Sequence, residues 1–181
     1  GGFTRQRRGA HITIDAEIPF KDSIFGTEID VSYRRQSDKQ EEKLSVKIPA
    51  GIESGEMLRV KGRGETVQGG IPGDLYIRIH VKKHKTLHRE GAHLITSLNL
   101  KLTEAILGTK KDIEVADGSF LTVTIPKGSN NGDILRIKNQ GVVVGSRGMR
   151  GDLLIKVKVE IPHKLNRKAE DAIKQLSDLG Y

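Results

Sequence analysis

The chain has no cysteine. Disulfides, thiolate metal sites and a cysteine nucleophile are therefore excluded. Aromatic residues make up only 4% and apolar residues 35%, so any core must rest on isoleucine, valine and leucine. Two small sandwiches use that supply better than one large aromatic-rich core. No stretch approaches the length of a membrane span and no signal peptide opens the sequence, so the expected location is the cytoplasm. The sequence has no Gly-Lys-Ser/Thr phosphate loop and no His-Glu-x-x-His pair. Catalysis is not expected, and neither is a cofactor.

What is present is glycine, 21 residues in 181, which implies many turns between short strands. The opening Gly1-Gly2-Phe3 reads as the stump of a glycine-rich linker and suggests an excised fragment. The net charge of +8 raises nucleic acid or an acidic partner as candidates. Residues 1–40 carry seven basic and six acidic groups, 41–90 ten and seven, and 91–181 fourteen and ten. The excess is thus spread evenly, and solubility explains it as well as binding does. Its densest clusters are Arg5, Arg7 and Arg8, then Lys82, Lys83 and Lys85.

An internal repeat organises the chain. Ile48-Pro49-Ala50-Gly51 with Gly55 returns as Ile125-Pro126-Lys127-Gly128 with Gly132, an offset of 77 that also relates Leu58 to Leu135. Gly73-Asp74-Leu75 returns as Gly151-Asp152-Leu153 at 78, and Phe25-Gly26-Thr27 as Leu107-Gly108-Thr109 at 82. The offset shrinks because a charged run, Arg34 to Glu42, stands in the first copy where the second has an Asp117-Gly118 hairpin signal.

Each copy reads as strands with one helical turn. Ile12, Ile14, Ala16 and Ile18 alternate with His11, Thr13, Asp15 and Glu17. A turn over Lys21 to Phe25, and over Glu104 to Leu107, ends at a glycine free to take positive φ. Ile29, Val31 and Tyr33 share the face of the next strand, as do Ile113 and Val115. Proline after each isoleucine ends the ladder. The copies close on Leu75, Ile77, Ile79 and Val81 and on Leu153, Ile155, Val157 and Val159. The predicted fold is all-β: two tandem small β-sandwich domains over 9–86 and 87–163, each with one short helical turn. Residues 1–8 are read as linker and 164–181 as a C-terminal helix of about four turns. Asn166 would cap that helix, and Ala169, Ala172, Ile173 and Leu176 form its apolar stripe.

Two clusters of side chains invite chemical readings. His80, His84, His88 and His93 suggest a metal site, but Leu75 to Val81 alternate as a strand and the neighbouring lysines repel a cation, so no metal is expected. Asp74 and Asp152 recur as a repeat pair after glycine, which points to turn fixation rather than acid–base work.

In order and spacing these features resemble the C-terminal region of the DnaJ (J-domain) co-chaperone family. The likeness runs from Arg8-Gly9 to the terminal helix. It is carried by Ile18-Pro19-Phe20-Lys21-Asp22-Ser23-Ile24-Phe25-Gly26, the paired Ile-Pro-x-Gly-x-x-x-Gly motifs, Lys61-Gly62-Arg63-Gly64-Glu65, His84 to Gly91 and Arg150-Gly151-Asp152-Leu153. The family's zinc-binding cysteine repeats are absent, so the likeness is to the zinc-less class. There is no His-Pro-Asp tripeptide, so the ATPase-stimulating J-domain lies outside this chain.

The resemblance implies binding of unfolded client polypeptides for a DnaK-type chaperone, in a shallow apolar groove of the first copy. Carried over, the groove residues are Ile14, Ala16, Val31, Tyr33 and Ile77; from pattern alone the same row reads as sandwich core. Lysines that grip an acidic partner tail in eukaryotic relatives are replaced here by Glu28, Ile29, Asp30 and Ser32, leaving only Arg34 and Arg35. The resemblance also implies a homodimer through Ala169, Ala172, Ile173 and Leu176. By pattern alone that stripe docks equally well on its own chain. The competing expectation, from the basic charge, is a nucleoid-associated DNA-binding relative. Against it, the aromatics are not interleaved with basic clusters and no recognition helix is visible.

Overall fold

Strands form wherever the sequence alternates. In the computed structural model, which describes residues 5–181, β1 (Ile12–Ile18) turns Ile12, Ile14, Ala16 and Ile18 inward and leaves Thr13, Asp15 and Glu17 exposed. The expected linker stump Gly1-Gly2-Phe3 lies outside the described residues. The helix α1 (Phe20–Phe25) follows, then β2 (Thr27–Arg34), β3 (Glu41–Ile48), β4 (Met57–Val60) and β5 (Leu75–Val81). The succession returns as β6 (His88–Glu90), β7 (His93–Lys101), α2 (Leu102–Leu107), β8 (Thr109–Glu114), β9 (Phe120–Ile125) and β10 (Ile134–Ile137). Two short strands, β11 (Val143–Val144) and β12 (Met149–Arg150), precede β13 (Leu153–Glu160) and the terminal helix α3 (Arg167–Asp178). The fold is all-β with three helices among the described residues.

In the first copy β1, β5 and β4 form one sheet in that order, and β2 and β3 form a hairpin. β1 runs parallel to β5, with Ile14 opposite Ile77 and Ala16 opposite Ile79. A parallel pair cannot be joined by a tight turn, and the stretch from α1 to β4 supplies the crossover. The core includes Ile18, Val31, Ile48, Leu75, Ile77 and Ile79, drawn from the inner faces of sheet and hairpin. Leu75, Ile77 and Ile79 are wholly buried; each such side chain stabilises by about 1.5–3 kcal/mol. The second copy has the sheet order β10-β13-β7-β6, the hairpin β8-β9 and a small ladder β11-β12. Leu100, Ala105, Ile125 and Val157 form a core cluster there.

Both helical turns start earlier than their apolar pattern suggests, at Phe20 and Leu102, because Pro19 and Lys101 enter them in extended conformation. At Lys101 the backbone amide donates to Glu104 Oε2 (2.9 Å), which closes the first turn of α2. The turns end on Gly26 (φ 79, ψ 162) and Gly108 (φ 77, ψ 161). That region is essentially reserved for glycine. A Cβ there would also lie 2.9 Å from the carbonyl oxygens of Ile48 and Ile125 respectively.

By compactness the chain divides into two units. One comprises the chain up to Thr96 together with Glu114–Ser119 and Arg136–Leu154; the other comprises Ser97–Ile113, Phe120–Leu135 and Ile155–Tyr181. The unit boundary therefore does not follow the repeat boundary at 86/87. Arg7 is integrated into the first unit: its carbonyl accepts from Ile71 N (2.8 Å), and Gly9 N donates to Ile71 O (2.8 Å). In the second unit, Asn166 caps α3 by accepting from Ala169 N (2.8 Å). At twelve residues α3 makes a little over three turns, short of the expected four, because the Leu179 amide makes the last bond of the ladder, to the Gln175 carbonyl (3.2 Å), and Gly180 turns away at φ 92.

Candidate functional site

β1 is an end strand of its sheet, and β2 pairs with β3 on one side only. An end strand carries backbone N–H and C=O groups without ladder partners on one side. Between these two strands lies a cavity of about 440 Å³, lined by Ile14, Asp15, Ala16 and Glu17 of β1 and Ile29, Asp30, Val31 and Ser32 of β2. The alternation of both strands sorts its lining. Ile14, Ala16 and Ile29 are half-buried and Val31 is buried, whereas Asp15, Glu17, Asp30 and Ser32 are exposed. The result is an apolar floor with a polar rim.

Of the five groove residues expected from the resemblance, Ile14, Ala16 and Val31 line this cavity. Ile77 and Tyr33 do not. Ile77 is wholly buried on β5, directly behind Ile14 in the parallel register. Tyr33 is buried, and its hydroxyl donates to the Arg63 carbonyl (2.5 Å). Burial, with Glu42 adding to it, holds that phenol above its ordinary pKa. Ile29 belongs to the lining and was not among the five; its signal was its shared face with Val31.

The rim is acidic and unevenly compensated. Asp15 Oδ1 lies 2.7 Å from His80 Nε2 and 4.0 Å from Arg78, and the His80 hydrogen bond lowers the Asp15 pKa. Glu17 pairs with Lys82 at 3.4 Å. Asp30 has no ion pair among the described residues. Arg35 is occupied by Glu42 (2.6 Å) and Asp38 (3.2 Å), and Arg34 Nε donates to the Lys39 carbonyl.

The second copy differs at the corresponding edge. β6 pairs with β7 there, His88 to Glu90 against His93 to Ile95, so that part of the β7 edge is already taken. The offset of 82 carries Ile14 to Thr96, a buried polar residue. The pairing stops at Ile95, so Thr96 to Asn99, the counterparts of Ile14 to Glu17, are not covered by β6; the first copy differs in placing isoleucine rather than threonine at that edge.

A repeated polar clamp supports each final strand. Asp74, almost fully buried, accepts from Arg59 Nε (2.8 Å), Arg59 Nη2 (2.5 Å), the Gly62 amide (2.9 Å) and Arg8 (3.3 Å). Its own amide donates to His11 Nδ1 (2.9 Å). Asp152 repeats this with Arg136 (2.9 Å), the Asn139 amide (3.0 Å) and His93 Nδ1 (2.9 Å). The hydrogen bond from the Gly62 amide and the Arg59 guanidinium hold the Asp74 carboxyl below its usual range, and the Asn139 amide leads the same effect at Asp152. The four histidines do not converge: His80 meets Asp15, His93 serves this clamp, and His84 Nδ1 accepts from the Thr86 and Leu87 amides (both 3.1 Å).

A second apolar hollow, of about 940 Å³, lies in the second unit beside α3 and is lined by Leu102, Ile161, Leu165, Ala169, Ala172 and Ile173 among others. No residue of α3 is buried, and Ile173 and Leu176 stay exposed. Three of the four stripe residues thus face this hollow; Leu176 lies outside its lining.

Two β-copies, an open apolar groove in the first and a repeated Asp-Arg-His clamp define a tandem β-domain protein. The chain belongs to the DnaJ C-terminal domain family, whose sequence profile matches residues 12–162. It is similar to proteins named "Chaperone protein DnaJ". That of Allorhizobium ampelinum is 38% identical over 142 residues, covering 78% of this chain and 37% of the relative. That of Brucella ovis is 37% identical over 143 residues, covering 78% and 38%. That of Leptospira biflexa is 40% identical over 136 residues, covering 74% and 36%. The chain spans little more than a third of these relatives' length. Among the described residues, no helix is long and apolar enough to cross a membrane.

Proposed function

We propose that this chain is the client-binding part of a zinc-less DnaJ-type co-chaperone that holds unfolded polypeptides and passes them to a DnaK-type chaperone in the cytoplasm. The observation that carries the proposal is the pair of open strand edges flanking a groove floored by Ile14, Ala16, Ile29 and Val31. An extended client segment adds there as a strand. Its main chain bonds to the exposed edges without regard to sequence, and alternate side chains rest on the apolar floor. The floor is short and half-buried, so each segment binds weakly and leaves quickly, as handover requires. No group in the groove is arranged as nucleophile and base, and the chain acts by binding alone. The stripe of α3 supports a homodimer, in which two weak sites on one client gain avidity without new contacts.

The test is suppression of aggregation of an unfolded protein, together with binding of an apolar peptide. The double substitution Ile14→Ser and Ile29→Ser removes two half-buried floor residues. Peptide affinity is expected to fall about tenfold or more, since each lost apolar contact is worth on the order of 1 kcal/mol. The far-ultraviolet circular dichroism should be retained. Unchanged affinity in a folded variant would reject the groove.

A further inference from the structure

Alternation sorts the lining of the groove by chemistry as well as by burial. Side chains that point inward from β1 and β2 are Ile14, Ala16, Ile29 and Val31, and those that point outward include Asp15, Glu17 and Asp30. A strand added between them has the same period of two. Its inward residues meet hydrocarbon and its outward residues meet carboxylates.

We infer that the groove selects extended segments in which apolar residues alternate with lysine or arginine, and discriminates against the same segments carrying glutamate or aspartate. This rests on the groove being the client site. The strongest contributor is Asp30, which has no ion pair among the described residues, whereas Asp15 and Glu17 already have His80, Arg78 and Lys82 of β5 and its C-terminal flank beside them. The preference is local: the whole chain carries +8, and its mean field attracts acidic ligands instead. A preference for cationic peptides therefore has to come from short-range groups at the site. The same rim explains why no acidic tail is expected to dock along β2, where Arg35 is committed to Glu42 and Asp38.

The experiment is fluorescence anisotropy of labelled heptapeptides in which leucine alternates with lysine, serine or glutamate, plus a lysine–leucine peptide of the same composition in block order. At low salt the alternating lysine peptide is expected to bind about five- to tenfold more tightly than the glutamate peptide, with serine between. The ratio should shrink at 0.15 M salt, where the screening length is about 8 Å. The block-order peptide should bind more weakly than the alternating one. Asp30→Asn should bring the lysine-to-glutamate ratio down by about threefold, and Asp30→Lys should abolish or invert it. Asp30→Asn serves as the deciding variant if Asp30→Lys fails to fold by circular dichroism. Equal binding of the lysine, serine and glutamate peptides would overturn the inference while leaving the groove intact, as would a lysine preference undiminished by Asp30→Lys or, where that variant does not fold, by Asp30→Asn. Equal binding of the block-order and alternating peptides would remove the alternation. Failure of the serine peptide to bind at all would instead reject the groove itself, and the inference with it.

Discussion

Asp74 shows how much one carboxylate organises in this chain. It joins Arg8, Arg59 and the Gly62 amide to the head of β5, while His11 holds its backbone amide. Its pKa is depressed in the folded state, so the stability it confers is present above the ordinary carboxylate value of about 3.9. That contribution is lost as pH falls through the lower folded value. Asp74→Asn is expected to lower the melting temperature at neutral pH, and the gap from the parent chain should close progressively below about pH 4. Asp152→Asn should cost less, because Asp152 has one arginine partner rather than two and is more exposed. Thermal melts across pH 2–7 check both. The aspartates were legible as a repeat pair. Their histidine partners were not, because His11 lies 63 residues from Asp74 and reads in sequence only as one of several polar positions on the outer face of β1.

At the level of elements, the two glycines after α1 and α2 have a conformation no other residue holds comfortably. Gly26→Ala and Gly108→Ala should each destabilise by about 1–3 kcal/mol, measured by urea unfolding, and neither should change peptide affinity of the molecules that remain folded. At α3, Asn166→Ala should cost about 1 kcal/mol of helix stability, visible as fraying in amide exchange of Ala169 and its neighbours. Long strands were legible because each carries three or four alternating apolar residues. The strands β6, β11 and β12 are only two or three residues long, too few for any period to register. That mattered for the site. How far the β7 edge is covered depends on where His88–Glu90 pairs, which is His93 to Ile95 alone, and pattern cannot reveal it. For the same reason Ile14 and Ile77 read alike as apolar strand positions, although one lines the groove and the other lies wholly in the core behind it.

For the molecule as a whole, the exposed stripe of α3 leads to the prediction of a concentration-dependent dimer. Sedimentation of the chain against a version ending at His163 should show association only when the helix is present; monomers at all concentrations for both would exclude α3. The evenly spread charge leads to a different expectation for DNA: weak binding at low salt that disappears at physiological salt through counterion release, checked by titration at both. The open edges of β1 and β2 have one more consequence. Any strand edge left free for a stranger's backbone is equally free for another copy of the same chain, which is always the most abundant competitor in a concentrated stock. Two copies meeting edge to edge would bring Asp15, Glu17 and Asp30 of one against those of the other, and like charges directly opposed on neighbouring strands repel. The acidic rim is thus expected to disfavour pairing with self, and a molecule stripped of those charges should turn slowly into filaments or precipitate even while each copy remains correctly folded.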